Sequence, residues 1–343
     1  MRHGPAVYAC TGRGAELGER IVAALGGRLH VPERFMPRRG ATGFRSLAQL
    51  VARTFHSCDA HIFIGATGIA VRTIAPHLKS KTSDPAVVVL DHQGRFVISL
   101  LSGHLGGANA LAGRIADLVD GTPVITTATD VEGVPAIDVL AGEQGLVIGN
   151  PERIRDVNGA LVEGRPVAVQ DPEDRLGLSQ RTDLDRCFVR GANAGSGESA
   201  IGPGVVVDVH VPGTRPELVL HPRVLSVGIG CRRGVTEEQV AHALQTVLKE
   251  HGLAAGAVAG LASVDLKADE NGLLLAAGTL GLDIYFYSVE DLKDMDVPNP
   301  SRRVEQHIGV RSVCEAAALK RAGKQILLVP KQIVGPVTVA VAG

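Results

Sequence analysis

The sequence predicts a multi-domain α/β protein with largely parallel sheets and flanking helices, ending in an α/β domain with a mixed sheet. Short runs rich in Val, Ile and Ala alternate with helix-like runs along most of the chain, which is the pattern of layered α/β folds. The chain has 343 residues, more than one ordinary domain holds. Hydrophobic residues make up 45% and charged residues 21%, as in proteins with a substantial core.

Residues 1–140 are the first predicted domain, in which helix-like runs separate most of the strand candidates. The clearest helical run is FRSLAQLVARTF at 44–55. The stretch SLLSGHLGGANALAGRI at 99–115 reads as a strand end, a tight loop and a helix, because apolar residues recur at helical spacing after the glycines. The strand candidates are AVYACT (6–11), AHIFIGA (60–66), AVVVLD (86–91), RFVISL (95–100) and PVITTAT (123–129).

Residues 141–222 form a middle region of different character. A short apolar run is followed by polar residues and by the tract RGANAGSGESAIGPG at 190–204. Such a Gly/Ser-rich tract is typical of a flexible loop or linker. The last domain is therefore placed at 223–343, where strand-like runs resume.

The last domain is predicted to carry a mixed sheet. Few residues separate its final two strand candidates, and so short a link permits an antiparallel hairpin. Thr236 and Gln239 have the spacing of a capping box at a helix start, and Ser312 with Glu315 predicts another capped helix. A further helix runs through GLLLAAGTLG. The strand candidates are VLSVGIG (224–230), VAGLASV (258–264), DIYFY (283–287), QILLVPK (325–331) and PVTVAVA (336–342).

Charge and composition exclude several classes of protein. A net charge of −1, 3% aromatic residues and no Trp argue against a nucleic-acid binder. The five cysteines are scattered, which suits a reducing cytosol better than a disulfide framework or a zinc site. No apolar run approaches ~20 residues and the start lacks a long apolar signal segment, so we expect a cytoplasmic protein with no membrane partner.

Three loops of the first domain are candidate binding segments: GATGIAVR (65–72), SGHLGGAN (102–109) and TTATD (126–130). Ligands of open α/β sheets bind beyond the carboxyl ends of strands, and glycine lets helix-start N–H groups approach an anion. We therefore expect the three loops to converge, although each glycine could serve only a tight turn. The candidate binding residues are Gly65, Thr67, Gly68, Arg72, Ser102, Gly103, Gly106, Gly107, Asn109, Thr126, Thr127 and Asp130.

His104 is the leading candidate for proton transfer, because a histidine in a Gly-rich loop at a helix start titrates near neutral pH. The alternative is a capping or packing histidine. The other histidines show no HExxH or paired spacing, so we expect no protein-bound metal.

The last domain offers a second group of candidates. SVDLKADENG (263–272) is either a solvated turn or an acid–base cluster around Glu270. Arg232, Lys267 and Lys331 lie at the ends of predicted strands and suit anionic groups. GRGAELG (12–18) is an imperfect dinucleotide motif and no Walker A sequence occurs, so a nucleotide-dependent enzyme is disfavoured.

Several long segments, in order, resemble the cobalt-precorrin-5A hydrolase family of anaerobic cobalamin biosynthesis. The resemblance covers nearly the whole chain and is weak across 141–222. In the first domain the matching segments are GATGIAVRTIAP, VVVLDHQGRFVISLLSGHLGGANALAGRIA and PVITTATDVEGVPAIDVLA. In the last domain they are VGIGCRRG, ASVDLKADENGLLLAAGTLGLDIYFYS, PSRRVEQHIGVRSVCEAAAL and LLVPKQIVGPVTVAVAG.

The resemblance implies a hydrolase that opens a δ-lactone on a cobalt-containing corrinoid. The two-carbon unit at C20 leaves as acetaldehyde, giving cobalt-precorrin-5B and contracting the ring. It also implies that cobalt arrives inside the substrate with no other cofactor. Release of the aldehyde needs proton transfer, for which His104 and the cluster around Glu270 are the candidates. The corrinoid, neighbouring pathway enzymes and a second copy of the chain are candidate partners. The competing hypothesis is a non-catalytic α/β protein that binds an anionic ligand or that binds and carries a corrinoid.

Overall fold

A computed structural model describes residues 3–80, 83–191, 203–324 and 326–343. Its contacts divide the chain into two compact units. Unit 1 comprises Met1–Leu140 and Leu161–Gly164, and unit 2 comprises Ala141–Ala160 and Arg165–Gly343. Mixed α/β architecture with largely parallel sheets confirms the predicted fold class. Most of the Gly/Ser-rich tract predicted as a linker lies outside the described residues.

Within the described residues, unit 1 is built on a seven-stranded sheet of order β3-β2-β1-β4-β5-β6-β7. The strands are β1 (Ala6–Ala9), β2 (Arg28–Pro32), β3 (Ala41–Phe44), β4 (Ala60–Ile64), β5 (Ala86–Leu90), β6 (Phe96–Leu101) and β7 (Thr122–Val124). The first six helices of the chain are α1 (Gly12–Leu25), α2 (Leu47–Thr54), α3 (Thr67–Ile74), α4 (Ala108–Val119), α5 (Ala128–Glu132) and α6 (Ile137–Glu143). The strands β2 and β3 were not predicted from the sequence.

Strand direction changes once in this sheet. The strands β1 to β5 are parallel, whereas β6 is antiparallel to β5 and β7 is parallel to β6. The cause is the link 91–95, since a parallel connection needs a dozen residues or more. The Asp91 carboxylate closes this turn by accepting from the backbone N–H groups of Gln93 (2.8 Å) and Phe96 (2.9 Å). The carboxyl ends of β6 and β7 therefore lie at the edge where β1 to β5 begin.

The core of unit 1 lies on both faces of the sheet. Ile62 and Val88 pack on the face covered by α1 and α4, and Phe63 and Val87 pack on the face covered by α2 and α3. Strands buried on both faces read as continuous apolar runs, which is why β4 and β5 were easy to predict. This layered core fixes the strand ends that carry the loops described below.

Unit 2 contains a five-stranded sheet of order β10-β9-β11-β12-β8. Its strands are β8 (Val147–Ile148), β9 (Val167–Gln170), β10 (Phe188–Arg190), β11 (Gly204–Val207) and β12 (Leu218–His221). The helix α7 (Ile154–Val162) lies between β8 and β9 in the chain. Only the short strand β8 is antiparallel to its neighbour.

A second five-stranded sheet of unit 2 has the order β15-β14-β13-β17-β16. Its strands are β13 (Leu225–Cys231), β14 (Val258–Val264), β15 (Ile284–Tyr287), β16 (Leu327–Val334) and β17 (Val337–Ala342). The helices are α8 (Glu237–Glu250), α9 (Asn271–Leu280), α10 (Val289–Lys293), α11 (Arg302–Ile308) and α12 (Val313–Ala322). Parallel pairing of β13 to β15, with β16 and β17 as an antiparallel hairpin, confirms the predicted mixed sheet.

The two predicted caps of this domain have different outcomes. The helix α8 starts with the capping box of Thr236 and Gln239. The prediction that Ser312 and Glu315 cap α12 is wrong, since the Ser312 side chain caps no N–H group. The buried Glu315 carboxylate instead accepts from both nitrogens of Asn299 (3.2 and 2.8 Å) and from Lys331 N (2.9 Å). A buried carboxylate needs hydrogen-bond donors, and these three bonds satisfy Glu315 in place of the capping-box bond. Among the described residues, no helix is both long and apolar enough to cross a membrane.

Candidate active site

The loop between β6 and α4 folds back tightly on itself. The Ser102 hydroxyl donates to the carbonyl of Asp84, just before β5 (3.0 Å). The N–H groups of Gly107, Ala108 and Asn109 donate to the carbonyls of His104, Ser102 and Gly103 at 2.8, 3.1 and 3.0 Å. These three helix-start N–H groups are already used inside the loop. This geometry does not favour the expectation that they receive a ligand anion, and substrate binding by the residues of this loop stays a prediction.

The glycines of this loop have steric causes. A Cβ on Gly103 would lie 2.7 Å from Asn109 Oδ1, and one on Gly106 would lie 2.4 Å from Ser102 Cβ. Gly107 has φ +81°, a left-handed conformation that glycine adopts without strain. Ser102 has φ +58°, which is uncommon for a residue other than glycine. The loop shape, and with it the position of His104, therefore depends on these residues.

The His104 imidazole lies between two carboxylates. Its Nε2 is 3.1 Å from Asp130 Oδ2 and 3.1 Å from Thr129 Oγ1. Its Nδ1 is 3.5 Å from Asp138 Oδ2. The side chains of Asp138, His104 and Asp130 are 4%, 17% and 39% exposed. We name Asp138, His104 and Asp130 the carboxylate–imidazole relay, because they connect a buried carboxylate through a ring to a solvent-facing one.

The surroundings of His104 and Asp130 favour the charged form of each side chain. The hydrogen bond to Asp138 raises the pKa of His104 above its ordinary value of 6.5, and the bond to Asp130 adds to this against the effect of burial. Burial would raise the pKa of Asp130, but hydrogen bonds from Thr127 and His104 outweigh it and lower that pKa. These shifts favour the imidazolium form of His104 and the carboxylate form of Asp130.

Asp130 is fixed in orientation by neighbouring polar groups. The Asn109 amide donates to Thr127 Oγ1 (2.9 Å) and to Asp130 Oδ2 (3.0 Å), and the Thr127 hydroxyl donates to the same Asp130 oxygen. Asn109 Oδ1 accepts from the Ser99 hydroxyl on β6 (2.6 Å), which fixes the amide in turn. The loops 102–109 and 126–130 are thus joined, as predicted for these two.

The third predicted loop lies elsewhere. Gly65 N donates to Leu90 O (2.8 Å), so the segment 65–72 follows the carboxyl ends of β4 and β5. The relay lies at the other end of β5, because Val87 pairs with Leu101. Five strand residues separate the two edges by about 13 Å. The prediction of three converging loops is wrong, since the reversal of β6 was not foreseen.

The remaining predicted residues of unit 1 follow this division. Gly65, Thr67, Gly68 and Arg72 lie at the opposite edge, where the Arg72 guanidinium donates to Gly68 O (3.3 Å). Thr126 is exposed beside Thr127. Substrate binding by these residues stays a prediction.

Two residues of the site were missed from the sequence, Asp138 and Thr129. Both are buried, and both contact His104. The available signal for Asp138 was a carboxylate between apolar neighbours in VPAIDVLA, since a charged group buried in such a run needs a partner. Asp130 and Asp138 each lie in the first turn of a short helix, where the helix dipole favours negative charge.

Three predicted residues of the last domain come together in unit 2. Arg232, Lys267 and Lys331 line one cavity of about 280 Å³ at the carboxyl ends of β13 and β14. Glu270 does not line it. Its carboxylate accepts from Gly234 N (3.0 Å) and lies 3.9 Å from Lys267 Nζ. Glu270 thereby holds the loop after β13, and a catalytic role for it stays a prediction that this geometry does not favour.

No group of three or more His, Cys, Asp or Glu side chains in the described part of the chain is arranged to hold a metal ion. The imperfect dinucleotide motif forms the start of α1. A Cβ on its Gly18 would lie 2.6 Å from Leu29 Cδ1, so helix packing on β2 explains that glycine.

Comparison with known families gives matches along most of the chain. Residues 49–130 match the family described as cobalamin synthesis G N-terminal, 135–222 the cobalamin biosynthesis central region, and 225–342 the cobalamin synthesis G C-terminus. A cobalt-precorrin-5A hydrolase of Priestia megaterium is 32% identical over 305 residues, which is 87% of this chain and 82% of the relative. The same enzyme of Salmonella typhimurium strain LT2 is 34% identical over 336 residues, covering 94% and 93%.

A solved structure of a cobalamin biosynthesis protein G homolog from Sulfolobus solfataricus also aligns with the chain. It is 22% identical, with a TM-score of 0.38, and the alignment covers 98% of this chain and 96% of that one.

Proposed function

We propose, since the chain belongs to the cobalt-precorrin-5A hydrolase family and is therefore a hydrolase of cobalamin biosynthesis, that it opens the δ-lactone of cobalt-precorrin-5A with water. The two-carbon unit at C20 then leaves as acetaldehyde, giving cobalt-precorrin-5B. The observation that supports this chemistry is the carboxylate–imidazole relay, in which Asp130 faces solvent and His104 lies behind it. Both ring nitrogens of His104 are occupied, so Asp130 is the group that meets water and substrate.

The first step is the attack of water on the lactone carbonyl carbon. Asp130 accepts one water proton as the carbon–oxygen bond forms. The bond between the acyl carbon and the ring oxygen then breaks, and that oxygen takes the proton from Asp130. A carboxylic acid and a secondary alcohol result. The imidazolium of His104, 3.1 Å from Asp130, offsets the negative charge that develops.

The second step is carbon–carbon cleavage. Asp130 removes the hydroxyl proton, the hydroxyl oxygen becomes the carbonyl of acetaldehyde, and the bonding pair remains on the ring carbon. That carbon takes a proton from the Asp130–His104 pair. One water hydrogen thus stays on the new carboxyl group and the other ends on the ring carbon, so the protein returns to its starting state.

The substrate also determines the other expected ligands. We propose that cobalt is carried by the corrinoid and that the protein needs no cofactor of its own. Neighbouring enzymes of the pathway and a second copy of the chain remain candidate partners. A competing corrinoid carrier is favoured only by the cationic cavity of unit 2, which suits binding more readily than chemistry.

Hydrolysis in oxygen-18 water tests the proposal. Attack at the acyl carbon places one oxygen-18 atom in the corrinoid product, and acetaldehyde trapped as it forms carries none. Label found in acetaldehyde and absent from the corrinoid would exclude acyl attack. Stoichiometric binding of the corrinoid without acetaldehyde would replace the hydrolase with the carrier.

A further inference from the structure

We propose that the cavity at the carboxyl ends of β13 and β14 binds a single carboxylate group on a short carbon chain. The residues that form it belong to unit 2 alone. This inference rests on the proposed function, under which the natural occupant is one carboxylate side chain, or arm, of the corrinoid. We name it the arm pocket. Four observations support it: the positive charge of its lining, the burial of Lys267, the uncapped start of α12 and the volume of the cavity.

The charge of the arm pocket is one-sided. Arg232, Lys267 and Lys331 contribute three cationic groups, and none of the described residues lining the pocket is acidic. The Lys331 ammonium donates to Asn299 O (2.6 Å), which is a neutral acceptor. Three cations around one small cavity repel each other, and an anion bound between them would offset that repulsion.

Lys267 shows this most clearly, because the residue is only 9% exposed. The carboxylate nearest to its ammonium is that of Glu270, at 3.9 Å, which is beyond hydrogen-bonding distance. Glu270 also accepts from Gly234 N, so its charge is shared with the backbone. Among the described residues, nothing forms a hydrogen bond to the Lys267 ammonium. The Lys267 side chain is 11% exposed and lines the pocket, so a ligand carboxylate would supply the hydrogen-bonded partner that the described residues do not.

The start of α12 gives an independent observation. Ser312, Val313 and Cys314 line the pocket and are buried, yet the Ser312 side chain caps no N–H group. The first helical bond runs from Ala316 N to Ser312 O (3.0 Å). The N–H groups of Val313 and Cys314 find no acceptor among the described residues. A buried helix start without a cap requires partners, and an anion is the partner that its dipole favours.

The volume of the arm pocket and its apolar lining indicate which kind of anion it binds. A volume of about 280 Å³ is small for a complete ligand site and far too small for a tetrapyrrole. Val264, Ile308, Ile333 and Pro336 form an apolar wall beside the cations. A carboxylate on a short alkyl chain matches both surfaces, whereas a bare inorganic oxyanion leaves the apolar wall without a partner.

Cys231 lines the pocket and reports its occupancy directly. Its thiol is half-buried, as is that of Cys10 in unit 1, whereas Cys58, Cys187 and Cys314 are buried. The experiment measures the alkylation rate of each cysteine by iodoacetamide, using peptide mass spectrometry. Propionate is the test ligand, propionamide its neutral counterpart, and sodium chloride the control for ionic strength.

Propionate should slow alkylation of Cys231 by about ten-fold at a concentration about ten times its Kd, since protection follows 1 + [L]/Kd. Propionamide and sodium chloride should leave Cys231 unprotected, and Cys10 should react at the same rate throughout. Lys267→Met should abolish the protection, while Lys249→Met on the exposed face of α8 should preserve it.

Three results would overturn the arm pocket: no protection by propionate, equal protection by propionamide, or stronger protection by sulfate. If Lys267→Met does not fold, the comparison of propionate with propionamide on the unsubstituted protein still tests whether the pocket binds a carboxylate. No turnover is measured, so these outcomes are independent of the hydrolysis reaction. A separate assay of acetaldehyde release tests the proposed enzyme, and protection of Cys231 without release in that assay would retain the pocket and remove the enzyme.

Discussion

His104 owes its chemistry to its position between Asp138 and Asp130. A histidine in a Gly-rich loop suggests a free base, but both of its nitrogens face carboxylates, which raises its pKa. The group that contacts water is therefore Asp130, whose side chain is 39% exposed. In the proposed mechanism, His104 and Asp138 lie behind Asp130 and stabilise its charge.

Asp130→Asn tests the role of this carboxylate at the residue scale. The amide keeps the size and hydrogen bonding of the side chain but cannot accept a water proton, so single-turnover acetaldehyde release should fall by about 10²–10⁴-fold. Glu132→Gln on the same helix makes the same change at an exposed carboxylate and should keep full rate. Equal rates for the two variants would remove Asp130 from the mechanism.

Asp138→Asn tests how the buried carboxylate acts on His104. His104 is charged below its raised pKa, so a rate that needs the imidazolium falls as pH rises through that pKa. Loss of the Asp138 charge should lower the pKa of His104, so the decrease in rate should occur at lower pH. The measurement is the pH profile of single-turnover release, with Asp117→Asn on α4 as the exposed control. An unshifted profile would contradict the assignment.

The same pair makes stability depend on pH. The raised pKa of His104 means that its contribution is complete below 6.5 and is lost as pH rises through the folded value. The lowered pKa of Asp130 means that its contribution is present above 3.8 and is lost as pH falls. The Tm difference between the unsubstituted protein and His104→Gln should therefore be largest between about 4 and 6.5 and shrink above that range. A difference that grows with rising pH would reverse the sign and exclude the ion pair.

At the scale of elements, the loop before α4 holds the relay in place by backbone shape. Gly107 caps the helix at φ +81° with open space around its missing Cβ. Gly113 lies in the interior of the same helix and also has open space. The two positions thus differ in backbone conformation and not in packing.

Gly107→Ala and Gly113→Ala should have opposite effects on stability. Alanine in the left-handed region costs about 1–2 kcal/mol, whereas alanine in a helix interior gains about 0.5–1 kcal/mol over glycine. The measurement is the free energy of unfolding in denaturant, with acetaldehyde release followed alongside. Stabilisation by Gly107→Ala would show that the loop has no need of its left-handed turn.

The sequence predicted those elements best that are long, apolar or capped. The strand β14 has its predicted bounds, and α8 starts with its predicted capping box. The strands β2 and β3 were missed because RLHVP mixes Arg, His and Pro with apolar residues, and ATGF is short and half-buried. The antiparallel direction of β6 could have been predicted from the short link 91–95. Without it, the loop 65–72 was predicted at the same sheet edge as the loop 102–109, whereas it lies at the opposite edge.

The candidate site was predictable only in part, for a similar reason. His104, Asn109, Thr127 and Asp130 lie in Gly- and Thr-rich loops that draw attention in the sequence. Asp138 lies eight positions beyond Asp130 in an apolar run, and only the fold brings it to His104. Sequence also cannot show that helix-start N–H groups are already bonded, as those of α4 are.

At the scale of the whole molecule, two kinds of site are carried by separate units. The relay belongs to unit 1, and the arm pocket belongs to unit 2. We expect hydrolysis to need the relay, and we expect the arm pocket to contribute affinity for a substrate that bears many carboxylates. Lys267→Met should therefore raise KM for the corrinoid more than it lowers kcat, as the loss of uniform binding does. A fall in kcat at unchanged KM would place Lys267 in the chemistry instead.

The most direct test of the central claim is anaerobic incubation of the purified protein with cobalt-precorrin-5A, with acetaldehyde and corrinoid mass followed together. We expect one acetaldehyde for each cobalt-precorrin-5B formed, without NAD, ATP or added metal. A stable His104→Gln protein should still bind the corrinoid and should release acetaldehyde about 10²–10⁴-fold more slowly. Bound corrinoid with no acetaldehyde, release only when a nucleotide is supplied, or full rate in His104→Gln would contradict the account.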